Sequence, residues 1–462
     1  MPYASLDALK TQMRLLGVTR LYAKYLRRNN TSRQQIYIAK GDWGALHMLP
    51  IGDIRHCAGD PDVWTPTGHR RDNLKGDLPF KWLDDRGNCF DAPRAQLILY
   101  PKYPEIRLGS LLREAEWAPS DLLNQAVEGR VLFLGVQPAG YVVAYLAAHD
   151  SPVAREFAAT LRRPGEDLLI EIALPGLEDS RLTLLSALRR VHEKCWIRSR
   201  RLAPSGTIEP CESSQCVGFT LEAELGIGTN AFTEPDYLGW EVKAYQVPDV
   251  HRYLLGGRLS LFTPEPDGGF YAEKGLEEFL RRFGYPDTHG KADRLNFGGT
   301  HRVGKPVDNR GKGGCVSELR LRGYDAGTDS IPDLSDCALE LWGGPNCQIL
   351  LASWSCTKLL SHWQRKHQKA VYVPAEVRLN PREYRYGDVV RLGEGTDIRR
   401  LLRAIWLGNV VLDPAHKLER ASSSRPRVKA RTQFRIDRRD LCALYRSFED
   451  VSVIDGSPAG SH

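Results

Sequence analysis

The stretch EPDYLGWEVKAY runs from Glu234 to Tyr245 and places Asp236, Glu241 and Lys243 in a frame that is otherwise mostly apolar. A surface loop has no use for the apolar frame, and a buried strand does not want the charges. Read as a strand, the stretch alternates its side chains. Glu241 and Lys243 then share one face, and Trp240, Val242 and Ala244 share the other. A short turn around Tyr237 to Gly239 brings Asp236 alongside, so that two carboxylates and an ammonium converge at one edge. Two carboxylates suit a hard divalent cation such as Mg²⁺, for which Mn²⁺ can substitute. A metal there lowers the pKa of a bound water and neutralises charge on a phosphate. A lysine beside it can orient or deprotonate that water and steady the attacked phosphorus. These are the requirements of phosphodiester hydrolysis. The plain alternative is a surface strand with an ordinary Glu–Lys pair, because the bare pattern is short enough to arise by chance.

Outward from this strand, apolar periodicity predicts alternating elements. Helices are expected over 218–227, 275–285 and 357–367. Strands are expected over 237–247, 258–264, 317–325, 337–343, 347–355 and 369–377. Helices between strands imply a layered α/β unit. Upstream the pattern changes. A capped helix at 4–16 precedes short apolar runs such as QIYIA (35–39) and AQLILY (95–100), which read as a mainly β unit. The run from Val131 to Ala148 is broken by Gln137, Pro138 and Gly140, so it reads as two strands and not as a membrane span. Helical patterns follow in SPVAREFAATLRR and SRLTLLSALRRVHEK. The expected organisation is an N-terminal accessory domain over 1–195, a linker over 196–217, a catalytic domain over 218–453 and a disordered tail over 454–462.

The 462 residues are 42% apolar and 26% charged, ordinary for a globular protein with two domains. The ten cysteines are scattered without zinc-finger spacing, so reduced thiols in a bacterial cytoplasm are expected. His362 and His367 lie five apart and do not share the face of a zinc pair, whereas Lys358, His362 and Lys366 share a basic face. Neither NRGKGG (309–314) nor LGIGTN ends as a phosphate loop must, so no nucleotide cofactor is expected. A serine hydrolase has no Gly-x-Ser-x-Gly elbow to stand on.

The net charge of +7 is modest, but between His416 and Arg439 nine Lys or Arg stand against Glu419 and Asp437. That run suits a polyanion, the alternative being a solvated face. In RPRVKARTQFRI (425–436), Arg425, Arg427, Lys429 and Arg431 fall on one face of a strand, with Val428 and Ala430 on the other. Arginine can grip guanine and glutamine can pair with adenine.

The longer segment GFTLEAELGIGTNAFTEPDYLGWEVKAY, Gly218 to Tyr245, resembles the catalytic segment of the MvaI/BcnI family of type II restriction endonucleases. The features shared are the Thr-Leu-Glu helix, LGI followed by Asn230, then PD and GWEVK. The resemblance continues through HWQRKHQKAVYVP, IWLGNVVLDPAHKLE and RTQFRI, and covers roughly 215 to 445. It implies a PD-(D/E)XK fold, a mixed sheet flanked by helices. It also implies that Asp236 and Glu241 bind the metal, that Lys243 is the catalytic lysine, and that Glu222 is an extra helical acid near the metal. The alternative for Glu222 is a solvent-facing glutamate, as expected for Glu224 beside it. Near the end of the domain the resemblance implies DNA contacts, taken here as Arg427, Lys429, Arg431 and Gln433. Further upstream, AKYLRRNNTSRQQIYIA (23–39) resembles the opening of the EcoRII-type effector domain, a DNA-binding pseudobarrel.

The expectation is therefore an Mg²⁺-dependent, sequence-specific endonuclease of double-stranded DNA, leaving 5′-phosphate and 3′-hydroxyl ends. Its oligomeric state is open, a monomer included. The alternatives are a repair or methylation-responsive nickase, and a DNA-binding protein whose nuclease fold no longer cuts.

Overall fold

The computed structural model describes residues 3–33, 35–40, 43, 46, 48–57, 73–100, 105–161, 169–174, 180–213, 215–228, 236–254 and 256–458. They form two compact units, Met1–Thr183 and Leu184–His462. Asn230 and Pro235 of the family-like segment lie outside the described residues.

The first unit is built mainly of strands in two sheets. One has the order Ile170–Ile172, Arg20–Leu26, Arg130–Gln137, Tyr141–Ala147, Phe80–Leu83 and Cys89–Asp91. The other runs Ile36–Lys40, Glu105–Gly109, Gln96–Tyr100, Asn73–Asp77 and Arg55–Cys57. The Val131–Ala148 run is a hairpin, turning at Gly140 with φ +84°. Its buried side chains pack with Leu9 and Met13 of the helix Leu6–Leu15, which Ser5 caps.

In chain order the second unit contains α1 (Ser180–Glu193), β1 (Trp196–Arg198), α2 (Cys216–Glu224), β2 (Glu241–Gln246), α3 (Gly269–Phe283), β3 (Tyr285–Pro286) and β4 (Arg294–Gly298). It continues with α4 (Cys356–His367), β5 (Lys369–Arg378), β6 (Glu383–Tyr386), β7 (Val389–Glu394), β8 (Ala415–Glu419), β9 (Arg427–Lys429) and β10 (Ser447–Ser452). Further strands lie between these. The spine of the main sheet is β5, whose residues 370–375 are all buried, as a strand covered on both faces requires. β2 runs parallel along one edge of β5, with Glu241 opposite Ala370 and Lys243 opposite Tyr372. β6 and β7 run antiparallel along the other edge, and β1 and β10 extend the sheet beyond them. The result is a mixed α/β unit. No helix among the described residues is long and apolar enough to cross a membrane.

Three expectations about this unit change. Residues 196–217, expected as a linker, carry β1, which pairs with β6, and a hairpin of Arg200–Leu202 with Ile208–Pro210. Leu184, Leu185, Leu188, Val191, Ile197, Cys211 and Cys216 belong to one buried cluster with Trp240, Val242 and Val371. The stretch looked like a linker because its strands are three residues long, too short to show a period. At the other end, Ile454 to Pro458 were expected to be disordered but fold back on β10. Ser452 N donates to Ser457 O at 2.9 Å, and Asp455 binds the Ser457 amide at 3.1 Å. Residues 459–462 of the expected tail lie outside the described residues. Lastly, two cysteine pairs expected as thiols are disulfides, Cys211–Cys216 and Cys337–Cys356. The second joins residues 19 apart that antiparallel pairing brings together, since Ala338 lies opposite Ser355 and Cys356 N donates to Cys337 O at 2.8 Å.

Candidate active site

The turn before β2 decides where the acids meet. Tyr237 and Trp240 exchange backbone hydrogen bonds of 2.9 and 2.8 Å, and the residues between them, Leu238 and Gly239, have φ of +48° and +87°. Positive φ at both central positions is the mark of a type I′ turn, which favours glycine at the second. The turn folds Asp236 back so that its Oδ2 accepts from Val242 N at 3.1 Å. Trp240 and Val242 face the apolar cluster, which anchors the strand. Glu241 and Lys243 take the opposite face, and Lys243 Nζ donates to Glu241 Oε1 at 3.0 Å. The other oxygen, Glu241 Oε2, is buried without a hydrogen-bond partner.

The third acid comes from α2. The helix stops at Gly226, whose φ of +75° lets Ile227 N reach back to Glu222 O at 2.8 Å. Its side chains Val217, Thr220 and Leu221 are buried, and Glu222 is half-buried. Glu222 and Glu224 part company here. Glu224, expected to face solvent, has a side chain only 1% exposed and is paired with Lys194 at 2.7 Å and with Arg200. Its role is structural. Being two residues apart on a helix, the two acids point in different directions.

The electrostatics of the cluster are those of crowded acids. Burial, and then the Glu241 carboxylate, push Asp236 up from 3.8 to about 7. The same two causes raise Glu222. Burial also acts to raise Glu241, but Lys243 and the other nearby cations outweigh it and hold that carboxyl below its usual value. For Lys243, burial is the largest influence and acts downward, but Glu241, Tyr372 and Asp236 together outweigh it and keep the ammonium above its usual pKa. An ammonium held beside Glu241 can stabilise negative charge on a phosphate.

One cation was not assigned to this site from sequence. Lys366 was read only as part of a basic helix face, yet its charge pulls down both Glu222 and Asp236. It sits in the last turn of α4, four residues before Ala370, the residue that pairs with Glu241. Among the described residues it forms no hydrogen bond or ion pair. Only the parallel pairing of β2 with β5 could have revealed it. His367, next to it, is a satisfied core histidine. It stacks on Trp363 at 4.1 Å, and its ring nitrogens lie 3.3 Å from Trp363 O and Leu261 O. Burial holds it neutral, down to about 4.

The residues present fit a hard cation. Among the described residues no three His, Cys, Asp or Glu side chains form a ready metal cluster. Asp236 and Glu241 nevertheless offer oxygen donors, one of them a buried oxygen with no partner and the other acid strained toward neutrality. Mg²⁺ is commonly held by one or two carboxylates, with water completing its shell.

The basic arm lies in a different sheet, of order β3-β4-β8-β9. β9 pairs with β8, with Glu419 opposite Arg427 and Lys417 opposite Lys429. The same register continues through backbone bonds from Ala415 N to Arg431 O at 3.0 Å and from Asp413 N to Gln433 O at 2.8 Å. Arg427, Lys429, Arg431 and Gln433 therefore share a face. Lys429 is bound to Glu419 at 2.7 Å, whereas Arg427 and Arg431 are exposed and, among the described residues, form no ion pair.

A family model for the MvaI/BcnI restriction endonuclease family matches residues 185–445. Two solved structures are similar. The complex of restriction endonuclease MvaI with its cognate DNA substrate has a TM-score of 0.44 and 17% identity, over 59% of this chain and 99% of that one. MvaI in the absence of DNA has a TM-score of 0.33 and 16% identity, over 60% of this chain and 98% of that one. No curated protein matches.

Proposed function

Because the chain belongs to the MvaI/BcnI family and is a type II restriction endonuclease acting on DNA, we propose that it is an Mg²⁺-dependent, sequence-specific enzyme of the PD-(D/E)XK fold that hydrolyses double-stranded DNA. The observation that carries this reading is the convergence of Asp236, Glu241 and Lys243 at the start of one strand, with Glu241 Oε2 buried and unpartnered.

Asp236 and Glu241 would hold the metal. When bound, Mg²⁺ activates a water and offsets charge on the phosphate. Lys243, kept as an ammonium by Glu241, stabilises the negative charge that builds on the phosphate oxygens as water attacks phosphorus. The bond from phosphorus to the 3′ oxygen breaks, leaving a 3′-hydroxyl and a 5′-phosphate. Glu222, held partly toward its neutral form, sits close enough to interact with Glu241 and Lys243 and assists beside the metal. Arg427, Lys429, Arg431 and Gln433 contact DNA on this reading. The first unit, with its own buried core, serves as an accessory or effector domain that binds DNA. On this reading the enzyme meets its DNA in the bacterial cytoplasm, and the two disulfides remove reduced cysteines as a ground for that compartment.

The test is digestion of DNA of known sequence with Mg²⁺ and, in parallel, with EDTA. Discrete fragments with common ends, lost in EDTA, are expected. Intact DNA under every condition, or cutting that EDTA does not stop, would overturn the reading.

A further inference from the structure

Resting on the reading of this chain as a DNA endonuclease, we propose that the outer face of the sheet β3-β4-β8-β9 docks the sugar–phosphate backbone of duplex DNA, with Lys312 and Lys417 as phosphate contacts.

The two faces of this sheet are chemically opposite. The inner one carries Phe297, His416 and Leu418, all buried, and α3 covers it, with Phe279 and Phe297 rings 4.8 Å apart. The outer one follows from the register, because directly opposed residues in antiparallel strands point to the same side. Tyr285, Asn296, Lys417 and Lys429 form one row across all four strands. Arg294, Glu419 and Arg427 form the next row. Gly298, Ala415 and Arg431 form a third, in which the two small residues leave the arginine uncovered. Neighbouring strands are about 5 Å apart and successive rows about 7 Å. Lys312 adds a further cation from outside the sheet, 5.3 Å above the Tyr285 ring.

The charges on this face do not cancel. Its carboxylates, Asp287 and Glu419, are already engaged. Asp287 is taken by Arg294 and by Asn296 at 3.0 Å, and Glu419 by Lys429 at 2.7 Å. Among the described residues, Lys312, Lys417, Arg427 and Arg431 form no ion pair. Lys417 also stands directly across from Lys429, and like charges in that position destabilise a sheet. A row of phosphates removes the conflict. The ring on this face, Tyr285, lies beneath Lys312, so no open aromatic platform is offered to unstacked bases. The surface therefore suits the backbone of a duplex and not a single strand.

The experiment is equilibrium binding to a short duplex in Ca²⁺, with salt raised from about 50 to 200 mM. Each lost phosphate contact lowers the slope of log affinity against log salt by about 0.9, so Lys312→Gln/Lys417→Gln should lower it by about 2. The loss should be the same for every DNA sequence, because phosphates carry no base identity. Lys417→Arg should keep the wild-type slope. As a second measurement on unaltered protein, acetylation of the Lys312 and Lys417 amines should be suppressed by duplex DNA. An unchanged slope in the double variant, or equal acetylation with and without DNA, overturns the surface. Wild-type protein that binds no DNA at all overturns the endonuclease reading instead.

Discussion

Asp236 is an acid whose charge is costly in the metal-free protein, and removing that charge should stabilise it. Burial and Glu241 raise its carboxyl from 3.8 to about 7. The folded pKa lies above the unfolded one, so the folded state holds its proton longer. No penalty exists below about pH 3.8; it grows as pH rises, and it is complete above about pH 7. Roughly three units at about 1.36 kcal/mol each give about 4 kcal/mol as an upper limit, since Asp236 is only partly sealed from water. Asparagine keeps an oxygen that can accept from Val242 N, the bond Asp236 makes at 3.1 Å. Asp236→Asn should therefore gain about 2–4 kcal/mol over wild type in EDTA at about pH 8. The gain should shrink by about 2–3 kcal/mol at about pH 5. Urea denaturation across this range reads it directly. Added Mg²⁺ should then stabilise the wild type and not the variant, by about 2.7 kcal/mol at a hundredfold excess over the dissociation constant. A variant less stable than wild type in EDTA, or a difference that does not change with pH, refutes this account of the cluster.

Other outcomes follow from the same geometry. Lys366→Met should move the acid limb of the pH–rate profile to higher pH and slow cleavage near neutrality by up to about tenfold, while Lys366→Arg should leave both nearly unchanged. Glu224→Gln breaks the pairs with Lys194 and Arg200 and should lower stability by about 3 kcal/mol, seen as an earlier thermal transition, with cleavage at low temperature retained. A fragment from Ser180 to Pro458 should fold and cut, whereas one starting at Ser205 should aggregate. The shorter piece loses Leu184, Leu185, Leu188, Val191 and Ile197 from the core, about 10 kcal/mol of burial. A soluble, active Ser205 fragment would reject that boundary.

The strand of the site was readable because its signal is local. Alternation separates Glu241 and Lys243 from Trp240 and Val242, and Leu-Gly at 238–239 supplies the turn that returns Asp236. The helices at 218–227 and 357–367 and the six expected strands were readable for the same reason, and the helix expected from Gly275 follows a break at that glycine, φ +81°, within α3, whereas the helix Ile398–Trp406 and the shorter strands were not foreseen. What escaped depends on pairing between distant segments. Lys366 enters the site only because β5 lies parallel to β2. Glu224 looked like a surface residue because its partners, Lys194 and Arg200, are more than twenty residues upstream, beyond the reach of helix periodicity. The strands at 196–210 were missed because each is three residues long and held by the sheet rather than by its own pattern. The row through Lys417 and Lys429 likewise needs four strands in register, and the sequence shows both lysines only as members of one basic run, without the pairing that sets them opposite each other.

The most direct test of the whole account is single-turnover cleavage of a plasmid bearing the recognition site by wild type, Glu241→Gln and Lys243→Ala, with binding measured in Ca²⁺. Both variants should bind nearly as well as wild type and cleave on the order of 10²–10³-fold more slowly. Extra Mg²⁺ or Mn²⁺ should restore little to Lys243→Ala, whose fault is in the chemical step. Wild-type cleavage rates in both variants would contradict the assignment of Glu241 to Gln246 as the strand that carries the active site.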